Sequence, residues 1–183
     1  MKKITSLLAL FVLATAFTFC TTSSVDDALE FGIVTDITQS FPLAITANET
    51  GECINFSEMS TFDLKSNSQI SENYSRVNGI RINSLYWEVV DYVGDEGVFL
   101  NSGVLKIGNT SFDMGKVDLK ASDVADAKFL FSDTAKLSAI AQEILPTGLV
   151  TVTIEAGSGG NCDNDFSFNL SITANVIVTV SPL

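Results

Sequence analysis

The sequence predicts an all-β protein, mostly an antiparallel β-sandwich of the immunoglobulin-like kind, with one packed amphipathic helix near residues 133–145. Apolar and polar residues alternate over long stretches, which is the pattern of strands with one face in a core. Turn-forming residues separate these stretches at short intervals, and one stretch has a helical period instead. Seven or eight short strands around one core favour a sandwich.

The first strands are predicted at residues 31–37 and 41–47, where apolar residues recur at every second position. Pro42 indicates that the second of them starts there or lies at a sheet edge, because proline has no backbone N–H to donate to a neighbouring strand.

Residues 79–93 are rich in β-branched and aromatic residues and predict a long strand, whose alternation slips near Asn83-Ser84. A slip of one residue is typical of a β-bulge. Further strands are expected at residues 98–107 and 116–119, with a weaker one at 128–131.

The C-terminal residues 166–180 alternate strictly, and residues 150–156 do the same upstream. Because residues 157–165 are rich in glycine, asparagine and aspartate, they are predicted to be the loop of an antiparallel hairpin.

The helix is predicted after Ser132, a good N-cap, and ends at Pro146 and Gly148. Its apolar stripe follows the spacing i, i+3, i+4, i+7, i+8 and consists of Leu137, Ile140, Ala141, Ile144 and Leu145. A second, short helix is expected at residues 68–77.

The N-terminus has two lysines, an apolar run over residues 4–19, and then Cys20. This layout predicts a signal peptide at residues 1–19 and is too short for a membrane span. The leader resembles that of exported bacterial lipoproteins, and the resemblance implies lipid attachment at Cys20. An outer-membrane or cell-surface lipoprotein would follow.

A second cleavage site stays open. Phe19 stands where the lipoprotein pattern has a small residue, whereas Ala14-Thr15-Ala16 fits ordinary signal peptidase. Cleavage after Ala16 would give a secreted or periplasmic protein. In either case polar residues 20–30 predict a flexible tether, and residues 31–183 predict a single β-sandwich domain.

The chain has three cysteines. If Cys20 carries lipid, Cys53 and Cys162 remain, and an exported protein can join them in a disulfide. Such a bridge would stabilise the fold by about 4–5 kcal/mol because it closes a long loop.

Charge excludes some partners. Ten basic against 22 acidic residues give a net charge of −12, which repels nucleic acid and anionic lipid. We therefore expect no nucleic acid partner, and membrane contact only through a lipid on Cys20.

The chain contains no histidine, which removes histidine-dependent catalysis and zinc binding. Paired carboxylates are available, so a hydrolase is the last alternative. We expect a protein that is not an enzyme and needs no cofactor.

Two sites are candidates for binding. Asn161, Asp163 and Asp165 resemble the start of a calcium loop, although a hairpin loop explains them without an ion. Tyr86 and Trp87 are adjacent on one strand and must point to opposite faces, so one ring could contact a ligand while the other is core.

From these observations we predict an exported cell-envelope protein with a non-catalytic binding or scaffolding role, whose partner is an envelope protein or a glycan. A carbohydrate- or calcium-binding accessory protein is the alternative.

Overall fold

The computed structural model describes residues 30–47 and 55–182. The strands are β1 Phe31–Ile45, β2 Asn55–Asp63, β3 Val77–Val93, β4 Val98–Ile107, β5 Thr110–Asp118, β6 Phe129–Phe131, β7 Leu149–Gly160 and β8 Phe166–Val180. The helices are α1 Ser68–Asn73, α2 Leu119–Val124 and α3 Thr134–Ile144, and 3₁₀ turns at Leu64–Ser66 and Tyr74–Arg76 flank α1.

The strands form two four-stranded antiparallel sheets. The first sheet has the order β1-β8-β3-β6 and the second the order β2-β7-β4-β5. The all-β sandwich is therefore confirmed, and the strand order refines the immunoglobulin-like expectation to an eight-stranded jelly roll. Alternation reveals which face of a strand is buried but not which strands are neighbours, so the sequence did not distinguish the two arrangements.

The core lies between the inner faces of the two sheets. β8 is its centre, because every second residue from Phe166 to Val180 is at most 4% exposed. A strand flanked on both sides and covered on one face has this pattern. Phe31–Ser181 form one compact unit around this core.

The predicted helix is confirmed as α3, which places Leu137, Ile140, Ala141 and Ile144 in the core. Its N-cap differs from the prediction. Asp133, and not Ser132, accepts hydrogen bonds from the backbone N–H groups of the first turn. A carboxylate satisfies two orphan donors there and also favours the positive end of the helix dipole.

The predicted strands at residues 31–37 and 41–47 are one continuous strand, β1. Its alternation keeps phase through the polar residues 38–40, and its pairing with β8 shows no register shift over Phe31–Ile45. Pro42 lies on this strand at the edge of its sheet, which confirms the edge position.

The predicted loop at residues 157–165 begins later than expected, because β7 continues to Gly160. Gly157 pairs with Asn55 on one side and with Asn101 on the other. A Cβ atom at Gly157 would lie 2.6 Å from the Asn55 side-chain oxygen. A glycine-rich segment can thus continue a strand between two neighbours, which its composition alone does not reveal.

The bulge expected near Asn83-Ser84 is confirmed, because the register between β3 and β8 shifts between Ile82 and Ser84. The sequence did not predict β2 or α2. Within residues 30–47 and 55–182, no helix is long and apolar enough to cross a membrane.

Candidate functional site

The outer edge of β1 is the longest sheet edge in the described part of the chain. Pro42 pairs with Asn169 of β8. Because proline has no N–H, its nitrogen must face away from β8. Backbone groups alternate along a strand, so the even-numbered residues of β1 turn their N–H and C=O groups to the open edge.

Two side chains support this assignment. Thr35 Oγ1 donates to the Asp36 carbonyl at 3.4 Å, and Gln39 Nε2 donates to the Ser40 carbonyl at 3.2 Å. Both acceptors are even-numbered and both bonds are exposed. These carbonyls therefore point out of the sheet, where a further strand could bind them.

A row of polar contacts crosses the outer face beside this edge. Asp36 accepts a hydrogen bond from Asn175 Nδ2 at 2.7 Å, and the hydroxyls of Thr38 and Thr173 lie 2.9 Å apart. Cross-strand pairs of this kind hold neighbouring strands in register. The edge of β1 is thus fixed by side chains as well as by the ladder to β8.

The other three edge strands are shorter than β1. β6 is only three residues long, and β5 meets β4 with register shifts around Gly103 and Gly115. β2 is nine residues long and carries the exposed charge of Glu58. Short strands, bulges and charged side chains are features that prevent edges from pairing.

The predicted aromatic pair separates as expected. Trp87 is 1% exposed and its ring stacks on Phe129, with centroids 4.3 Å apart. Tyr86 lies on the outer face, and Lys128 Nζ is 4.7 Å from the centre of its ring. Trp87 is therefore core, and only Tyr86 presents a ring face, already covered by a lysine.

The three residues predicted to bind calcium are exposed, and one of them is engaged in a hydrogen bond to the backbone. Asn161, Asp163 and Asp165 are all exposed, and Asp165 accepts a hydrogen bond from the Ala47 N–H at 2.8 Å. Neighbouring Asn164 donates to Asp95 at 2.6 Å. No group of three or more acidic or cysteine side chains suited to a metal occurs among residues 30–47 and 55–182.

Of the three cysteines, the described residues include only Cys162. It is 3% exposed, and its Sγ lies 3.9 Å from Ser158 Oγ. Cys20 and Cys53 lie outside the described residues, as do the leader and most of the tether. Lipid attachment and the Cys53–Cys162 bridge therefore stay predictions.

Two tyrosines are perturbed by their surroundings. Burial raises the pKa of Tyr92, and the carboxylates of Asp95 and Asp118 raise it further. Burial alone raises the pKa of Tyr74. Both hydroxyls donate to backbone carbonyls, at Asp95 and Leu145 respectively, each at 2.8 Å. These bonds use the neutral phenol, so both groups are structural donors.

The sequence prediction missed the open edge as a functional feature, although a signal was present. Pro42 marks the even-numbered positions as the ones that face away from the sheet. Counting back in steps of two would have identified Ser40, Thr38, Asp36 and Val34.

No protein-family model matches this chain, and no curated protein is similar to it. Among solved structures, it is similar to the decameric BFDV capsid protein at 14% identity, with a TM-score of 0.47, over 81% of this chain and 99% of that one. The 60-mer BFDV capsid protein matches at 12% identity and a TM-score of 0.37, over 84% and 96%. A Desmodium yellow mottle tymovirus structure matches at 12% identity and a TM-score of 0.28, over 82% and 84%.

The prediction of an exported cell-envelope binding or scaffolding protein is wrong by this comparison, since these structures come from viruses, two of them titled capsid proteins. The prediction of this role depended on strand pattern, charge and the leader alone. Alternation and an acidic surface indicate a soluble sandwich, but the same sandwich carries many unrelated functions.

Proposed function

We propose that this chain is a non-catalytic structural subunit that pairs with a second copy of itself through the open edge of β1. The observation that carries the proposal is the length and regularity of that edge, 15 residues in register with β8 and without a bulge. An edge of this kind presents a row of unpaired backbone groups as a template for another strand.

A second copy fits the edge by symmetry and by charge. Antiparallel pairing of two identical strands is self-complementary about a two-fold axis. In a chain of net charge −12, β1 carries a single charged residue, Asp36. With the axis at Ile37, Asp36 faces Thr38 of the other copy, so the two carboxylates are not opposite one another.

Pro42 limits the length of the pairing. It offers no N–H to a partner strand, so strong pairing is confined to residues 32–40. Val34 lies within this stretch on the outer face and is 64% exposed. Pairing would cover this apolar side chain.

The test is the association state of the purified protein by sedimentation velocity and light scattering. We expect a dimer that becomes a monomer on Val34→Lys, which adds a charge within the pairing stretch, and on Ser40→Pro, which removes an edge N–H. Met59→Lys is the matched control, because Met59 is 70% exposed on the shorter edge strand β2.

Amide hydrogen exchange locates the interface. In the dimer the even-numbered amides of residues 34–40 should exchange more slowly than in the monomeric variants, while the odd-numbered amides bound to β8 stay protected in both. A protein that is monomeric at 100 µM, or a dimer broken by Met59→Lys and not by Val34→Lys, would contradict the proposal.

The N-terminal processing is a separate proposal. We propose that the leader directs export and that either Cys20 is lipidated or cleavage occurs after Ala16. The buried position of Cys162 supports the proposal that it is bridged to Cys53, since cysteines in exported proteins persist as disulfides.

A further inference from the structure

A groove of about 350 Å³ lies between β3 and α3, far along the chain from the residues of the β1 edge. Ile82, Leu137 and Ala141 supply buried apolar side chains to its lining. The polar part of the lining is Arg81, Asn83, Thr134 and Ser138, all exposed. An apolar surface with a few convergent polar groups is the usual form of a small-molecule site.

The bulge in β3 forms one wall of this groove. Ile82 and Ser84 both pair with β8, whereas the register leaves out Asn83 between them. A bulge bends its strand and redirects side chains, and bulges are common beside binding sites. The bulge therefore places Arg81 and Asn83 along the same groove.

Arg81 differs from the other described cations. Lys65, Lys116, Lys128 and Lys136 each lie over an aromatic ring. Lys106 and Lys120 pair with carboxylates, and Arg76 donates to Asn73 and to the Ser181 carbonyl. Among residues 30–47 and 55–182, Arg81 alone has neither a side-chain hydrogen bond, an ion pair nor a ring contact.

The groove lining contains no acidic residue. Asp133, which precedes the lining residue Thr134, already accepts hydrogen bonds from Ala135 N and Lys136 N at the start of α3. Although the protein has 22 acidic residues, an unpaired guanidinium in a lining without carboxylates gives a local positive potential that favours anion binding.

We infer that this groove binds a small carboxylate with an apolar tail. The guanidinium of Arg81 takes the carboxylate, for which its planar pair of N–H donors is suited. The Asn83 amide and the hydroxyls of Thr134 and Ser138 offer further donors. The tail lies on Leu137 and Ala141, which the helix period places on the same side of α3.

The experiment uses octanoate as the probe, followed by NMR titration and calorimetry of the purified protein. We expect saturable binding with shifts confined to β3 and α3. Octan-1-ol has the same tail without the charge. It should bind at least tenfold more weakly, because charge-assisted hydrogen bonds are roughly twice as strong as neutral ones.

Arg81→Gln should weaken octanoate binding about tenfold or more and leave octan-1-ol binding unchanged. Lys106→Gln removes the same charge at a distant exposed ion pair and should leave both affinities unchanged. Ser138→Phe should block the groove while the circular dichroism spectrum stays that of the parent. Equal binding of octanoate and octan-1-ol, an unchanged affinity in Arg81→Gln, or no binding at millimolar octanoate would overturn the inference.

Discussion

Trp87 and Phe129 face each other in register across β3 and β6, with ring planes 21° apart and centroids 4.3 Å apart. β6 is only three residues long, so its ladder contributes few hydrogen bonds. The stacked pair therefore adds a side-chain attachment of β6 to the first sheet. Aromatic pairs of this geometry contribute about 0.5–1.5 kcal/mol beyond the area they bury.

We expect Phe129→Ala to lower the free energy of unfolding by roughly 2–3 kcal/mol, somewhat less than for a fully buried phenylalanine. Urea unfolding followed by the fluorescence of Trp87, the single tryptophan, measures the change. Leu130→Ala is the control in the same strand, because Leu130 is 64% exposed and should cost at most about 0.5 kcal/mol. Equal effects of the two variants would contradict the attachment role of the ring pair.

The start of α3 tests the capping assignment. Asp133 accepts two backbone hydrogen bonds at 3.1 Å each, so Asp133→Ala should destabilise the protein by about 1 kcal/mol, within the usual range for lost caps. Ser132→Ala should have almost no effect. Thermal unfolding of the two variants distinguishes them, and a larger loss in Ser132→Ala would restore Ser132 as the cap.

The sequence predicted elements whose signals are local. α3 and the bulge at Asn83 follow from periodicity, which depends only on nearby residues. The extension of β7 through Gly157 did not follow, because it depends on pairing with Asn55 and Asn101 of two other strands. β2 was missed because exposed Glu58 and Met59 break the alternation of apolar residues that Phe56 and Phe62 would otherwise show.

For the candidate sites too, the sequence predicted local features and missed those that depend on distant parts of the chain. The sequence assigned Trp87 and Tyr86 to opposite faces from alternation alone. It did not reveal that Arg81 lines a groove with α3, because that placement depends on how α3 packs against β3. Nor does composition show that Arg81 is the one cation among the described residues without a side-chain partner, since this depends on where each lysine packs.

High pH should weaken the fold through Tyr92. Burial and the nearby carboxylates raise the pKa of Tyr92 in the folded protein, so the folded state holds the phenolic proton more tightly than the unfolded chain. The stability from this group is fully present below the ordinary pKa of about 10 and is lost as pH rises through the folded pKa. Tyr74 acts in the same direction.

Urea unfolding at several pH values from 8 to 11 measures this linkage. The free energy of unfolding should fall above pH 10 in the parent, and less steeply in Tyr92→Phe. The parent and variant share every other titrating group, so their difference isolates Tyr92. Parallel curves would show that Tyr92 is not linked to folding.

The cysteines give the last prediction. Intact mass of the protein from its native host should rise by about two mass units on reduction if Cys53 and Cys162 are bridged, because reduction adds two hydrogens. Cys53→Ser should then lower the free energy of unfolding by as much as 4–5 kcal/mol, since it opens a long covalent loop. Cys20→Ser is the control and should leave this free energy unchanged while removing any diacyl or triacyl mass from the N-terminus. A mature terminus at Phe17 would exclude the lipid, and an unchanged mass on reduction would exclude the bridge.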